Sequence, residues 1–165
     1  MDRKQFFRTL VVAGAACLAA GAAFAESAYT IGASLLTQQH PFYVELADAM
    51  KKAAAKDGAN LDLSIANQDL SKQISDVEDF ISKKVSVIVL SPVDSKGVKA
   101  ALRKAEAAGI PVVTVDIAAT GAEVSSHVAT DNYAGGVEAG GLMGKVLGGK
   151  GKVGVVDYPT IQSVG

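Results

Sequence analysis

Short apolar runs alternate with helical stripes along most of this chain, and no other feature constrains its fold as tightly. "YTIGASLL" (29–36) is apolar and small and reads as a first strand. After Pro41, the residues Leu46, Ala47, Met50, Ala53 and Ala54 fall at offsets of 0, 1, 4, 7 and 8, which is one helical face, and Gly58 closes it. "NLDLSIA" (60–66) alternates apolar and polar, as a strand near a sheet edge does. Ser71 is placed to cap a second helix whose Ile74, Val77, Phe80 and Ile81 face inward. "VSVIVL" (85–90) is β-branched and nearly continuous, as in a central parallel strand covered on both faces. Val98, Ala101, Leu102, Ala105 and Ala108 form a third stripe, closed by Gly109. "IPVVTVD" (110–116) and the short "SSHVAT" (125–130) read as further strands, Asn132 to Leu147 as a glycine-rich helix, and "KVGVV" (152–156) as one more strand.

This order predicts an α/β fold, a doubly wound, mostly parallel sheet with helices on both faces. Such sheets bind ligands beyond the carboxyl ends of their strands. Five short stretches satisfy that condition: Thr37 to Tyr43, Asn67 to Asp69, Ser91 to Asp94, Asp116 to Ala118 and Thr130 to Asn132.

The first residues bear on the compartment. Arg3, Lys4 and Arg8 precede an apolar, alanine-rich run that ends in Ala23-Phe24-Ala25, the pattern of a secretory signal peptide cleaved after Ala25. Cys17 lies inside this segment, and Gly14 stands where a lipoprotein signal carries a bulky apolar residue. The mature chain is therefore expected to have no cysteine, hence no disulfide framework and no thiolate chemistry. Removing Asp2 and the three basic residues from totals of 17 acidic and 16 basic leaves 16 against 13, a net charge of about −3. With no basic cluster, phosphate neutralisation has no basis and nucleic acid is not an expected partner.

Sites of covalent or metal chemistry find no support. Gly144, Gly149 and Lys150 fit G-x-x-x-x-G-K, but Gly151 follows where Ser or Thr is needed, and the stretch leaves a helix to enter a strand. No G-x-G-x-x-G follows the first strand, and no G-x-S-x-G is present. The two histidines, His40 and His127, have no mature cysteine to join them, and His127 reads as structural. The chain is read as a binding protein, not an enzyme, with no cofactor, metal or catalytic residue.

Uncharged polar groups, a carboxylate and aromatics remain at the strand ends, which is the equipment of a polyhydroxylated ligand site. Hydroxyls donate to a carboxylate and exchange bonds with amides, and a sugar's C–H face packs on an aromatic ring. In "TQQHPFY" (37–43), Gln38, Gln39 and His40 offer hydrogen bonds. Phe42 and Tyr43 have two readings, as a stacking platform or as residues that open the helix and pack beneath it. Asp116 likewise has two: a ligand acceptor or a cap for the next element.

Several stretches together resemble the periplasmic sugar-binding proteins of ABC importers, ribose-binding type: "YTIGASLLTQQHPFYVELADAMKKAA", "VIVLSPVDSKGVKAALRKAEAAGIPVVTVD" and "SSHVATDNYAGG". The similarity covers essentially the whole mature chain. It implies two similar α/β lobes that close on a monosaccharide, with residues 26–130 as the first lobe and 131–165 as the hinge crossing and start of a second lobe. It implies ligand contacts from His40, Phe42, Tyr43 and Asp116, with Gln39 beside them, and a hinge role with ligand contact for Asp131 and Asn132. Two positions depart from the ribose-binding pattern: Ile117 stands where arginine usually follows the carboxylate, and His40 where asparagine is usual. A different pentose or a linear polyol such as xylitol fits as well as ribose. The chain stops at "DYPTIQSVG", so the second lobe is incomplete and the sequence is expected to be an N-terminal half. The resemblance implies a periplasmic solute-binding protein, a monomer when complete, that delivers a sugar or polyol to the membrane permease of an ABC importer. The alternative is a sensory module that presents a sugar or autoinducer to a chemoreceptor or sensor kinase.

Overall fold

The computed structural model describes residues 29–156. The expected signal peptide (1–25) and the last nine residues (157–165) lie outside that range. Five strands form one sheet: β1 (Thr30–Leu35), β2 (Asn60–Ile65), β3 (Val87–Leu90), β4 (Val112–Val115) and β5 (Ser126–Val128). Four helices accompany them: α1 (Pro41–Asp57), α2 (Leu70–Ser82), α3 (Lys99–Ala107) and α4 (Asn132–Val146). The strand order is β2-β1-β3-β4-β5, and every neighbouring pair is parallel.

Register assigns the two faces. Ser34 pairs with Leu90 and Leu90 with Thr114, so these three side chains point the same way, while Leu35 and Val115 point the other. On the Leu90 side, Val77 and Phe80 of α2 and Ala101, Leu102 and Ala105 of α3 pack with Ile88, Leu90 and Val112. On the Leu35 side, Tyr43 and Ala47 of α1 pack with Leu35, Leu63, Ile65 and Val115. Helices on both faces of a parallel sheet give the expected doubly wound architecture. Burying each large aliphatic or aromatic side chain contributes about 1.5–3 kcal/mol.

A polar pin joins α2 to the sheet. Ser34 donates to Asp76 Oδ2 at 2.9 Å, Ser64 donates to Oδ1 at 2.8 Å, and Lys72 Nζ donates to the same Oδ1 at 2.8 Å. The buried carboxylate thus meets two strands and its own helix, and buried charge requires such pairing.

Two expectations are corrected. The cap of α2 is Asp69, whose carboxylate accepts from Lys72 N at 3.0 Å. Ser71 lies in the first turn of the helix, because the helix begins at Leu70, two residues earlier than a Ser71 cap requires. Residues 152–156 form no strand: Val155 and Val156 are exposed, and no strand among the described residues lies beside them. β-branched composition cannot replace a partner's hydrogen bonds. Helix α4 forms as expected but buries none of its residues, and a Cβ added at Gly135, Gly136, Gly140, Gly141 or Gly144 would meet nothing within 4 Å. These glycines therefore serve no close packing among the described residues.

Candidate functional site

The residues that follow three adjacent strands meet at one end of the sheet. After β1 the chain turns through Thr37, whose hydroxyl accepts from Gln39 N at 3.1 Å. Pro41, with no backbone N–H to lose, then occupies the first turn of α1. His40 is the N-cap, and its Nδ1 accepts from Phe42 N at 3.2 Å. An accepting Nδ1 puts the neutral ring's proton on Nε2, so His40 presents a donor. Gln38 and Gln39 are exposed.

The adjacent aromatics separate the two readings given above. Phe42 is 47% exposed, so its ring is open to a ligand. Tyr43 is only 5% exposed and packs beneath α1 with Leu35 and Ala47. The expectation that Tyr43 offers an open ring face is thus corrected: one helical step turns it 100° from Phe42 and onto the sheet. The two rings still touch edge to face, with centroids 5.1 Å apart.

The hydroxyl of Tyr43 crosses to the neighbouring strand ends. It donates to Asp116 Oδ2 at 2.6 Å and lies 3.0 Å from Ser91 Oγ. A phenol has one proton, so Ser91 must be the donor in the second bond. Burial pushes the Tyr43 phenol well above its ordinary value, and the bond to the Asp116 carboxylate adds to the rise. Tyr43 therefore remains a neutral donor throughout the physiological range.

Asp116 sits on unusual backbone. Its φ is +62°, and Ile117 N donates to Val115 O at 2.7 Å, which makes a three-residue γ-turn just beyond β4. Asp116 N donates to Val128 O at 2.9 Å, tying the turn to β5. A non-glycine residue in this conformation stores strain, and such strain concentrates at functional sites. Asp116 does not cap a following helix; its carboxylate faces the β1 and β3 ends.

Two contributors escaped the sequence reading. Ser91, at the end of β3, lay within a candidate stretch but was not singled out. Gln73 of α2 is fully buried: Nε2 donates to Ser91 O at 2.9 Å, and Oε1 accepts from Val93 N at 2.7 Å. Gln73 precedes Val77 by four residues and Phe80 by seven, so a polar side chain on an inward stripe was the available signal.

The remaining candidates lie elsewhere. Asp131 is the exposed N-cap of α4, accepting from Ala134 N at 2.9 Å, and Asn132 begins that helix. His127 pairs through Nδ1 with Thr114 Oγ1 at 2.9 Å, in keeping with a structural role. Among the described residues no group of three or more metal-ligating side chains comes together, and no helix is long and apolar enough to cross a membrane.

Known proteins share this fold. Residues 31–163 match the periplasmic binding protein domain. The ribose import binding protein RbsB of Bacillus subtilis (strain 168) is 40% identical over 125 residues, covering 76% of this chain and 41% of that protein. An ABC transporter solute-binding protein from Mycobacterium smegmatis, solved with bound glycerol, superposes with a TM-score of 0.71 at 46% identity, over 74% of this chain and 42% of that one. The Caulobacter myo-inositol binding protein, solved with myo-inositol, gives 0.77 at 28% identity, over 82% and 47%. The chain thus spans less than half the length of these relatives. With the family match over most of its length, the chain belongs to the periplasmic binding protein domain family.

Proposed function

We propose that this chain supplies the first lobe of an exported solute-binding protein that captures a pentose or a polyol and presents it to an ABC importer. The observation that carries this reading is the convergence of Tyr43, Ser91 and Asp116 at the ends of β1, β3 and β4, beside the exposed ring of Phe42. An acceptor next to an open aromatic face suits a ligand whose hydroxyls ring an apolar C–H surface. His40 Nε2 and Gln39 extend the same wall with donors. Residues 26–130 form the lobe, and Asp131 and Asn132 begin the crossing to a second one. The signal peptide directs export to the periplasm with cleavage after Ala25. No covalent step is assigned; ligand shifts the protein toward a closed form that the permease reads.

Calorimetric titration of the full-length gene product with D-ribose, L-arabinose, xylitol, myo-inositol and glycerol tests the reading. Saturable binding of at least one is expected. Absence of binding across the panel refutes it.

A further inference from the structure

We propose that Tyr43 is the positioning residue of this site: its buried hydroxyl, backed by Ser91, holds Oδ2 of Asp116, so that the carboxylate meets a ligand hydroxyl in one fixed orientation, with Oδ1 leading. This rests on the assignment of Asp116 as a ligand acceptor. The Tyr43 ring is fixed beneath α1, and Ser91 is fully buried, so solvent does not substitute for either partner. Direction along the relay is set by proton count, with Ser91 donating to Tyr43 and Tyr43 to Asp116. The backbone of Asp116 is held separately, by the γ-turn and by the bond from its N–H to Val128 O. The orientation of the carboxylate and the course of the main chain are therefore fixed before any ligand arrives.

The neighbouring groups strengthen the case. Ile117 follows the carboxylate with an apolar side chain that is itself buried, and no lysine or arginine among the described residues forms an ion pair with Asp116. The support for the carboxylate is thus a neutral phenol, which orders it without cancelling its charge. A fixed carboxylate plane also restricts what the ligand can do. A ligand hydroxyl must approach along lone-pair directions that are already set, because the Tyr43 bond keeps the carboxylate from turning to follow it. The ligand class favoured is a neutral sugar or polyol recognised here by the direction of a hydroxyl.

The test compares the full-length gene product with its Tyr43→Phe variant, titrated with D-ribose, xylitol and the monodeoxy analogues of each. In the unmodified protein, loss of one particular hydroxyl is expected to weaken binding about tenfold, since a bond to a charged group is lost. In Tyr43→Phe, affinity for the parent compound falls about tenfold, and the penalty at that hydroxyl shrinks severalfold because the freed carboxylate turns to accept from a neighbour. Unchanged affinity in Tyr43→Phe overturns the proposal. So does a uniform loss that leaves the ratios among analogues untouched, which marks a merely structural residue. If Tyr43→Phe does not fold, Ser91→Ala replaces it; a compressed ratio supports the relay and an unchanged one overturns it. Unmodified protein that binds neither ribose nor xylitol, nor any analogue, refutes the sugar reading together with this proposal, whereas normal binding with an indifferent variant refutes this proposal alone.

Discussion

Replacing Gln73 with methionine isolates the support beneath the site. Methionine keeps the length of the side chain and fills the same space, so the change deletes two hydrogen bonds with little change in volume. Those bonds, 2.9 Å to Ser91 O and 2.7 Å from Val93 N, are what satisfy these two backbone groups on the α2 side. Leaving a buried backbone group unpaired costs about 1–3 kcal/mol. Two such losses, less about 1 kcal/mol regained by burying an apolar side chain, give a destabilisation of about 1–5 kcal/mol. Urea denaturation of the ligand-free, full-length gene product, followed by far-UV circular dichroism, reads this directly. The exposed neighbour Ser75→Ala provides the control and is expected to stay within about 0.5 kcal/mol. If Gln73→Met also stays within that range, the two bonds do not hold the Ser91–Val93 turn, and the reasoning fails. Affinity for ligand is expected to fall alongside stability, because Ser91 also supports Tyr43.

Three further outcomes follow from the same structure. Asp116→Ala in the full-length gene product is expected to weaken sugar or polyol binding at least about tenfold by titration, and an unchanged affinity removes Asp116 from the site. The Tyr43 phenol ionises above the unfolded value of about 10, so the folded state keeps a proton that the unfolded state has lost. Its contribution to stability is full below about pH 10 and is lost as the pH rises further; Tyr43→Phe should flatten the alkaline fall in urea midpoint, and parallel curves count against it. Gly32→Ala places a Cβ 2.6–2.9 Å from three ring atoms of Phe80, on a strand paired on both sides, and should cost about 1–3 kcal/mol by denaturation. Adding Phe80→Leu should recover part of that loss, and no recovery would place the strain elsewhere.

Periodicity exposed most of the sheet and its helices. Leu46, Ala47 and Met50 lie on one face because local spacing alone decides it, and "VSVIVL" is apolar because both faces of β3 are covered. Asp116 was legible for a similar reason, as a lone carboxylate after a buried run. The missed features depend on distance along the chain. Tyr43 meets partners 48 and 73 residues away, and a pattern of apolar positions treats phenylalanine and tyrosine alike. Residues 152–156 have strand composition, yet pairing belongs to two segments at once and one segment cannot reveal it. Ser71 was read as a cap because serine suits that position, yet where the first helical turn begins is not set by residue type alone, and the structure starts it after Asp69.

The γ-turn at Asp116 narrows the alphabet available at that position. With φ at +62°, β-branched side chains are the most strained, and glycine, asparagine and aspartate are the residues that a positive φ suits most readily. Of those three only aspartate is acidic, so in a saturation library at this position the main chain and the need for a charged acceptor select the same residue for independent reasons. Glutamate would reach the same φ, as Gln68 and Lys84 do elsewhere in this fold, but on a side chain one methylene longer than the one that meets Tyr43.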